Sequence, residues 1–144
     1  MIISHPVSSA DYEKYFDLRW RILREPWQQV RGSEQDELES SSFHIMICDD
    51  NHAILAAGRL HAATEKQAQI RYMAVESTQQ GKGIGAVLLK ELEQLAKEKG
   101  FQSILLHARE IALLFYLKHG YQQLEKSHLL FNSIQHFKMV KVLP

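Results

Sequence analysis

The residues best suited to binding a charged group form a glycine-rich turn at residues 79–86. The turn lies between a predicted strand and the longest predicted helix, where unpaired backbone N–H groups and the helix dipole favour an anion. Gly81, Gly83 and Gly85 would let the main chain approach phosphate oxygens, and Lys82 adds a positive charge. This pattern predicts a pyrophosphate site, although glycines at this spacing can also serve only a tight turn.

Other phosphate-binding motifs share part of this spacing. Residues 81–86 also satisfy the dinucleotide pattern G-x-G-x-x-A, which in an oxidoreductase would require a parallel sheet built around the turn. The strands before residue 75 instead have the short connections of an antiparallel meander, and too little chain follows for a doubly wound domain. A Walker A loop is excluded because no Gly-Lys-Ser/Thr follows four spacer residues.

Metal and thiol chemistry find little support in the sequence. The chain has eight histidines and one cysteine, but neither an HExxH pattern nor clustered Cys and His at ligand spacing, so no metal site is expected. Cys48 ends an apolar run at residues 43–48 and is predicted to be a small buried hydrophobe. A single cysteine forms no internal disulfide, which fits a reducing compartment.

Hydrophobic spacing predicts the elements that must position the turn. Residues 8–11, Ser-Ser-Ala-Asp, supply a candidate cap for the first helix, which should end near Pro26, and Gly100 is a candidate stop for the long helix. The predicted order is a strand at 2–5, a helix, strands at 43–48, 54–63 and 69–75, the long helix from 84, a strand at 101–107, a helix at 110–119, and two strands. We therefore predict an α/β fold with a mixed sheet, in one domain covering residues 1–144.

Composition narrows the function. Seventeen basic residues balance seventeen acidic ones, which argues against a nucleic-acid-binding surface. No apolar run approaches the length of a membrane-spanning helix, and the amino terminus lacks the pattern of a signal peptide. We therefore expect a cytoplasmic protein with no nucleic-acid partner and no membrane partner.

Two segments resemble signatures of the GNAT N-acetyltransferase superfamily. Residues 80–85, Gln-Gly-Lys-Gly-Ile-Gly, follow the strand that ends at Val75 and are similar to the acetyl-CoA signature Q/R-x-x-G-x-G/A. Downstream, Ala112, Tyr116 and the pair at 120–121 are similar to the second signature, at the expected separation. The element order resembles the GNAT fold over essentially the whole chain, and a weaker similarity points to a small bacterial ElaA-like branch.

This resemblance implies that acetyl-CoA is the co-substrate. The backbone amides of the turn are then expected to hold its pyrophosphate, and the strand before the turn to pair with its pantetheine arm. The implied coenzyme-binding residues are Met73, Ala74, Val75, Gln80, Gly81, Lys82, Gly83, Ile84, Gly85 and Ala86. In GNAT folds the sheet is mostly antiparallel with flanking helices, and this strand splays from the next one to leave a V-shaped cleft for the thioester.

The resemblance also implies catalytic roles. Tyr116 matches the position whose phenol protonates the departing thiolate, and a core aromatic residue is the alternative reading. A backbone N–H near residues 73–75 is expected to stabilise the oxyanion. Arg109 stands where the superfamily often has asparagine, and could contact the coenzyme, the acceptor or solvent. The general base stays open between His44, His107, Glu110, His136 and water.

The sequence thus favours an acetyl-CoA-dependent N-acetyltransferase that acts on a primary amine of a small molecule or a peptide. A non-catalytic acyl-CoA-binding regulatory domain is the main alternative. The acidic residues Glu34, Asp36, Glu37 and Glu39 suggest either a cationic acceptor or merely a solvated connector. The apolar segment 137–143 could pair across a homodimer or be buried within one chain.

Overall fold

The computed structural model describes all residues, 1–144, and its elements follow the predicted order. The strands are β1 (Ile2–Ser4), β2 (Phe43–Cys48), β3 (Ile54–Ala62), β4 (Gln67–Val75), β5 (Ser103–Arg109), β6 (Gln122–Leu130) and β7 (Ile134–Val142). The α-helices are α1 (Ser9–Leu23), α2 (Ile84–Glu98) and α3 (Leu113–Lys118). All seven strands join one sheet in the order β1-β2-β3-β4-β5-β7-β6, which confirms the mixed α/β fold.

Helix α1 begins and ends where its sequence predicts. The Ser8 hydroxyl accepts from the Asp11 backbone N–H at 3.1 Å, and the Asp11 carboxylate accepts from the Ser8 N–H at 3.2 Å. These two bonds form a capping box that satisfies orphan donors of the first turn. After Leu23 the chain continues into a 3₁₀ turn that contains Pro26, which cannot extend an α-helix. The buried face of α1 packs against β3 and β4 and carries Tyr15, Leu18 and Arg19.

Helix α2 supplies the largest apolar face of the core. Its buried residues lie at helical spacing and pack on β2, β3 and β4. Gly100 has φ +88°, a left-handed conformation that ends the helix as predicted. Cys48 is buried in β2 and forms no disulfide, which also confirms the sequence expectation. None of the helices is both long enough and apolar enough to span a bilayer.

The sheet opens between β4 and β5. These two strands form the one parallel pair, and their pairing runs only from Gln67 opposite Ser103 to Gln69 opposite Leu105. Both strands continue beyond that point, β4 to Val75 and β5 to its own last residue, without pairing to each other. The strands therefore diverge, and this confirms the V-shaped opening that the resemblance implied. The doubly wound dinucleotide-binding fold is ruled out because β4, the strand before the glycine turn, pairs antiparallel with β3.

Strand β4 carries a bulge at the point where the opening begins. Ala57 of β3 pairs with Ala74, whereas Arg59 pairs with Arg71, so β4 has one more residue than β3 across this interval. Tyr72 in the bulge has φ +57°, an unusual conformation for an aromatic residue. A bulge leaves its extra residue outside the ladder and redirects the strand, and bulges are frequent beside active sites.

The carboxyl-terminal strand β7 lies inside the sheet. It pairs antiparallel with β5 on one side and with β6 on the other. The suggestion that residues 137–143 pair across a dimer is therefore wrong, and burial within the chain accounts for their apolar character. Strand β6 forms the outer edge and is exposed along most of its length. A homodimer through another surface stays a prediction.

Candidate active site

A cleft of about 260 Å³ lies between the diverging ends of β4 and β5. The end of α1, the start of α3 and the β6–β7 hairpin close its sides. Its wall is mixed, because apolar residues of the strands alternate with polar groups that reach in from five separate segments. The polar side chains that line it are Arg24, Gln69, Arg71, His107, Arg109, Tyr116, His128 and His136.

Tyr116 lies at the inner wall of this cleft, next to Met73. Its side chain is 9% exposed, and its hydroxyl donates to the Met73 Sδ at 3.5 Å. A thioether is a weak acceptor, so this hydroxyl is free to donate to a stronger one. Burial raises the pKa of Tyr116 to about 12, with the charge of Arg109 acting in the opposite direction. The phenol is therefore protonated at neutral pH, as an acid must be.

The glycine turn is shaped to leave its backbone N–H groups open. Gly81 and Gly83 have φ +79° and +84°, and Gly83 is the N-cap residue of α2. No side chain caps this helix, so the N–H groups of its first turn are left without an intrahelical partner. The Gln80 side chain donates to the Val75 carbonyl at 3.0 Å and ties the turn to the end of β4. The arrangement can hold an anion at the mouth of the opening.

Two glycines of this turn are expected to respond differently to alanine. Gly83→Ala places a side chain in left-handed conformation and should lower the free energy of unfolding by about 1 kcal/mol. Gly85→Ala should leave it nearly unchanged, because a Cβ there would lie 3.7 Å from Phe115 and 3.8 Å from Val75, ordinary contact distances. Urea unfolding of both variants checks this contrast. Equal destabilisation of the two would contradict it.

Two of the histidines proposed as general base reach the cleft. His136 is buried, and its Nδ1 lies 3.0 Å from the Ile134 carbonyl, which can only accept. Nδ1 therefore carries the hydrogen, and Nε2 keeps a lone pair. Burial lowers the pKa of His136 to about 4, so the ring is neutral. The Nδ1 of His107 is buried without a hydrogen-bond partner, and burial lowers the pKa of this ring as well.

The other two candidate side chains lie outside the cleft. His44 is buried under α1, where its Nε2 lies 2.8 Å from the Glu39 carbonyl and its Nδ1 lies 2.9 Å from the Tyr15 hydroxyl. Both ring nitrogens are engaged, so His44 has a structural role. Glu110 is exposed in the 3₁₀ turn before α3 and does not line the cleft. Of the four candidate side chains, only His107 and His136 line the cleft.

Four polar residues of the cleft had no role in the sequence prediction, and one of them is Gln69 of β4. Arg24 comes from the end of α1, Arg71 from β4 next to the bulge, and His128 from β6. His128 stacks on His136 with ring centroids 4.2 Å apart and lies 5.4 Å from the ring of His107. No group of three or more potential ligands in the protein is arranged to hold a metal ion. No local motif marks these positions, because only the fold brings them together.

The acidic residues of the polar connector do not face the cleft. Arg19 and Arg59 are fully buried, and both donate to Glu39, each with a contact of 2.8 Å. Arg59 also donates to Asp36 at 2.6 Å, and Arg19 donates to the Glu34 carbonyl. We call residues 31–42, which carry these groups, the acidic segment. The carboxylates of Asp36 and Glu39 neutralise the protein's own guanidinium groups, so these two residues offer no surface for a cationic acceptor.

The other two acidic residues of the segment, Glu34 and Glu37, differ from each other in burial. Glu34 is buried, and its carboxylate accepts from the backbone N–H of Gly32 at 2.9 Å. Among the four acidic side chains only that of Glu37 is exposed. The sequence prediction failed here because a count of acidic residues does not reveal which of them have buried partners.

Comparison with known proteins finds a matching family, a sequence relative and solved structures of similar fold. Residues 12–121 match the model of the acetyltransferase (GNAT) family. The chain is 32% identical to the uncharacterized N-acetyltransferase YjcF of Bacillus subtilis over 79% of its length and 81% of that protein. Its fold is similar to an acyl-CoA N-acyltransferase from Pseudomonas aeruginosa (TM-score 0.83, 21% identity, 98% and 97% coverage). It is equally similar to an aminoglycoside 6'-N-acetyltransferase complexed with coenzyme A (TM-score 0.83, 17% identity, 100% and 98% coverage). The protein therefore belongs to the GNAT family of acetyltransferases.

Proposed function

We propose that this protein transfers the acetyl group of acetyl-CoA to a primary amine of a small molecule or a peptide. The observation that carries the proposal is the cleft between β4 and β5, in which a protonated, buried Tyr116 meets Met73 at the bulge. A donor of this kind is what a thiolate leaving group needs. The family membership supports acetyl transfer independently of this geometry.

The coenzyme is proposed to lie along the edge of β4 that the splay exposes. Its pantetheine arm would pair with the main chain of Met73, Ala74 and Val75, and its pyrophosphate would rest on the N–H groups of residues 80–86. The left-handed glycines and the uncapped start of α2 support this assignment. Lys82 is exposed at the rim and supplies a positive charge. The related fold that was solved with coenzyme A makes the same ligand reasonable here.

The reaction is proposed to be direct attack. The neutral amine nitrogen attacks the thioester carbon, and a backbone N–H near the bulge stabilises the oxyanion of the tetrahedral intermediate. When the intermediate collapses, the C–S bond breaks and the Tyr116 hydroxyl gives its proton to the departing thiolate. The surplus proton of the amine leaves through the Nε2 of His136, through His107 or through water. Solvent then restores the proton of Tyr116.

Calorimetric titration with acetyl-CoA, followed by an assay of coenzyme A release over a broad amine panel, tests this function. Binding with release for at least one amine supports the enzyme. Binding without release for any amine favours the regulatory, non-catalytic domain. Absence of binding would overturn both. The buried free thiol of Cys48 is compatible with the reducing, cytoplasmic setting that we propose for this reaction.

A further inference from the structure

The charged groups that line the cleft all have the same sign. Three guanidinium groups, those of Arg24, Arg71 and Arg109, reach its wall, and no aspartate or glutamate is among the lining residues. The chain as a whole has no net charge, so this asymmetry is local to the cleft. A cleft lined in this way raises the local concentration of anions and repels cations.

Arg24 is the most informative of the three. It is only 9% exposed, and its hydrogen bonds go to two main-chain carbonyls: Nε donates to Ser33 at 3.0 Å and Nη1 to Leu23 at 3.1 Å. No carboxylate neutralises it, in contrast to the fully buried Arg19 and Arg59. A buried charge without a counter-ion is costly, and such groups are ordinarily paired. A ligand anion in the cleft would supply the missing partner.

Arg109 lies on another wall and also lacks a carboxylate partner, although it is only half-buried. Its side chain forms no ion pair and donates no hydrogen bond within the protein, whereas Arg71 is neutralised in part by Asp36 at 2.7 Å. The glycine turn is not part of this cleft, so Arg109 faces the reacting end of the site and not the pyrophosphate site. Its charge also acts on the neighbouring groups: it opposes the burial that raises the pKa of Tyr116, and it adds to the burial that lowers the pKa of His136.

The three histidines that line the cleft add no charge to it at neutral pH. Burial is the main cause that lowers the pKa of His107, His128 and His136, and the arginines that face them act in the same direction. The rings are therefore neutral and can accept or donate hydrogen bonds. The two guanidinium groups without a carboxylate, those of Arg24 and Arg109, are left as the fixed charges that a ligand would meet.

We infer that the acceptor is an amine that also carries an anionic group, a carboxylate or a phosphate, which Arg24 and Arg109 bind. This inference rests on the proposed acetyl transfer. Arginine suits the task because its planar fork can donate two hydrogen bonds to a carboxylate or a phosphate. With the anion held there, the amine would be directed toward the thioester beside Met73. A polycationic acceptor would instead meet like charges.

The test measures acceptor binding apart from turnover. The protein is first saturated with coenzyme A, and the complex is titrated in a calorimeter with β-alanine, 2-aminoethyl phosphate, ethanolamine and 1,4-diaminobutane. These amines are of similar size. Besides the amine, β-alanine carries a carboxylate and 2-aminoethyl phosphate a phosphate, whereas ethanolamine has no second charge and 1,4-diaminobutane has a second positive charge. The expected result is that one anionic amine binds about ten- to hundredfold more tightly than ethanolamine and 1,4-diaminobutane. The tighter binding of either β-alanine or 2-aminoethyl phosphate then shows whether the anion is a carboxylate or a phosphate.

Variants connect this preference to the cleft. Arg109→Gln should remove most of the preference for anionic amines. It should not destabilise the fold, because the Arg109 side chain makes no internal hydrogen bond. Arg24→Gln should also remove most of the preference if its melting temperature stays near that of wild type. Arg31→Gln is the matched control, since Arg31 is an exposed arginine that pairs with Asp17 outside the cleft. Affinity for coenzyme A should be unchanged in all three.

Each outcome has one meaning. Tight binding of ethanolamine or 1,4-diaminobutane would overturn the inference, as would weak and equal binding of all four amines. A preference that survives in both cleft variants would overturn it too. If coenzyme A itself fails to bind at the first step, the proposed function has failed, and this result is distinct from a failure of the acceptor assignment.

Discussion

Replacing Tyr116 by phenylalanine is expected to lower kcat about a hundredfold or more while leaving acetyl-CoA binding nearly unchanged. The ring keeps its packing against Phe115 and Tyr121, and the one hydrogen bond that is lost ends on a weak sulfur acceptor. The loss should therefore fall on the chemical step and not on folding. Steady-state kinetics together with calorimetric titration of the coenzyme would measure both quantities.

Tyr12→Phe is a suitable control for this experiment. Tyr12 lies on α1 outside the cleft, within an aromatic cluster with Tyr15 and Phe16. It should keep full activity. A wild-type kcat in Tyr116→Phe would show that the thiolate takes its proton from elsewhere. Because the pKa of Tyr116 is raised to about 12, ionisation of this phenol should not reduce the wild-type rate until the pH approaches that value.

The second large effect concerns stability. Glu39→Gln is expected to lower the free energy of unfolding by about 3 kcal/mol, because the fully buried guanidinium groups of Arg19 and Arg59 both donate to this carboxylate. Removing one partner of a buried ion pair leaves charge that the interior cannot solvate. Urea unfolding gives the magnitude. Glu37→Gln is the matched control, since Glu37 belongs to the same segment and is exposed, and it should change little.

The same network should make the protein sensitive to acid. Burial alone would raise the pKa of Asp36, but hydrogen bonds from Arg59 and Leu38, with the charges of Arg59 and Arg71, hold it at about 2. Hydrogen bonds and charge from Arg19 likewise keep the pKa of Glu39 below its ordinary value, against the effect of burial. These carboxylates stabilise the fold above the pKa of the unfolded chain, near 4, and that contribution is lost as the pH falls toward 2. Glu39→Gln should lose stability less steeply over this interval than wild type.

Local patterns predicted most of the architecture, including the position of the glycine turn between β4 and α2. The capping box at Ser8, the left-handed turn at Gly83 and the stop at Gly100 are each decided by neighbouring residues, so their sequence signals are dependable. The boundary of β5 was less accurate: it was predicted at 101–107 and lies at 103–109. Phe101 packs against the core from outside the strand, which extends the apolar run toward the amino terminus.

The acceptor half of the site could not be predicted in this way. Arg24 and His128 are brought to one cleft by the sheet order, and no spacing in the sequence connects them. The acidic segment was misread for a related reason. Glu39 lies twenty residues from both Arg19 and Arg59, and burial of those arginines depends on α1 packing over β3. Charge in a sequence reveals a partner only once the tertiary contacts are known.

The anchoring of the acidic segment bears on how a ligand enters. The ring of Tyr72 has the guanidinium carbons of Arg19 at 4.0 Å, Arg71 at 4.5 Å and Arg59 at 5.0 Å, so the segment's ion pairs extend into the bulge itself. Swinging the segment outward would break the ion pairs of Asp36 and Glu39 and leave the buried guanidinium groups of Arg19 and Arg59 without their carboxylate partners. It therefore cannot act as a moving lid. The acidic segment is already ordered by the protein's own ion pairs, so ordering it adds no conformational-entropy cost when a ligand is captured.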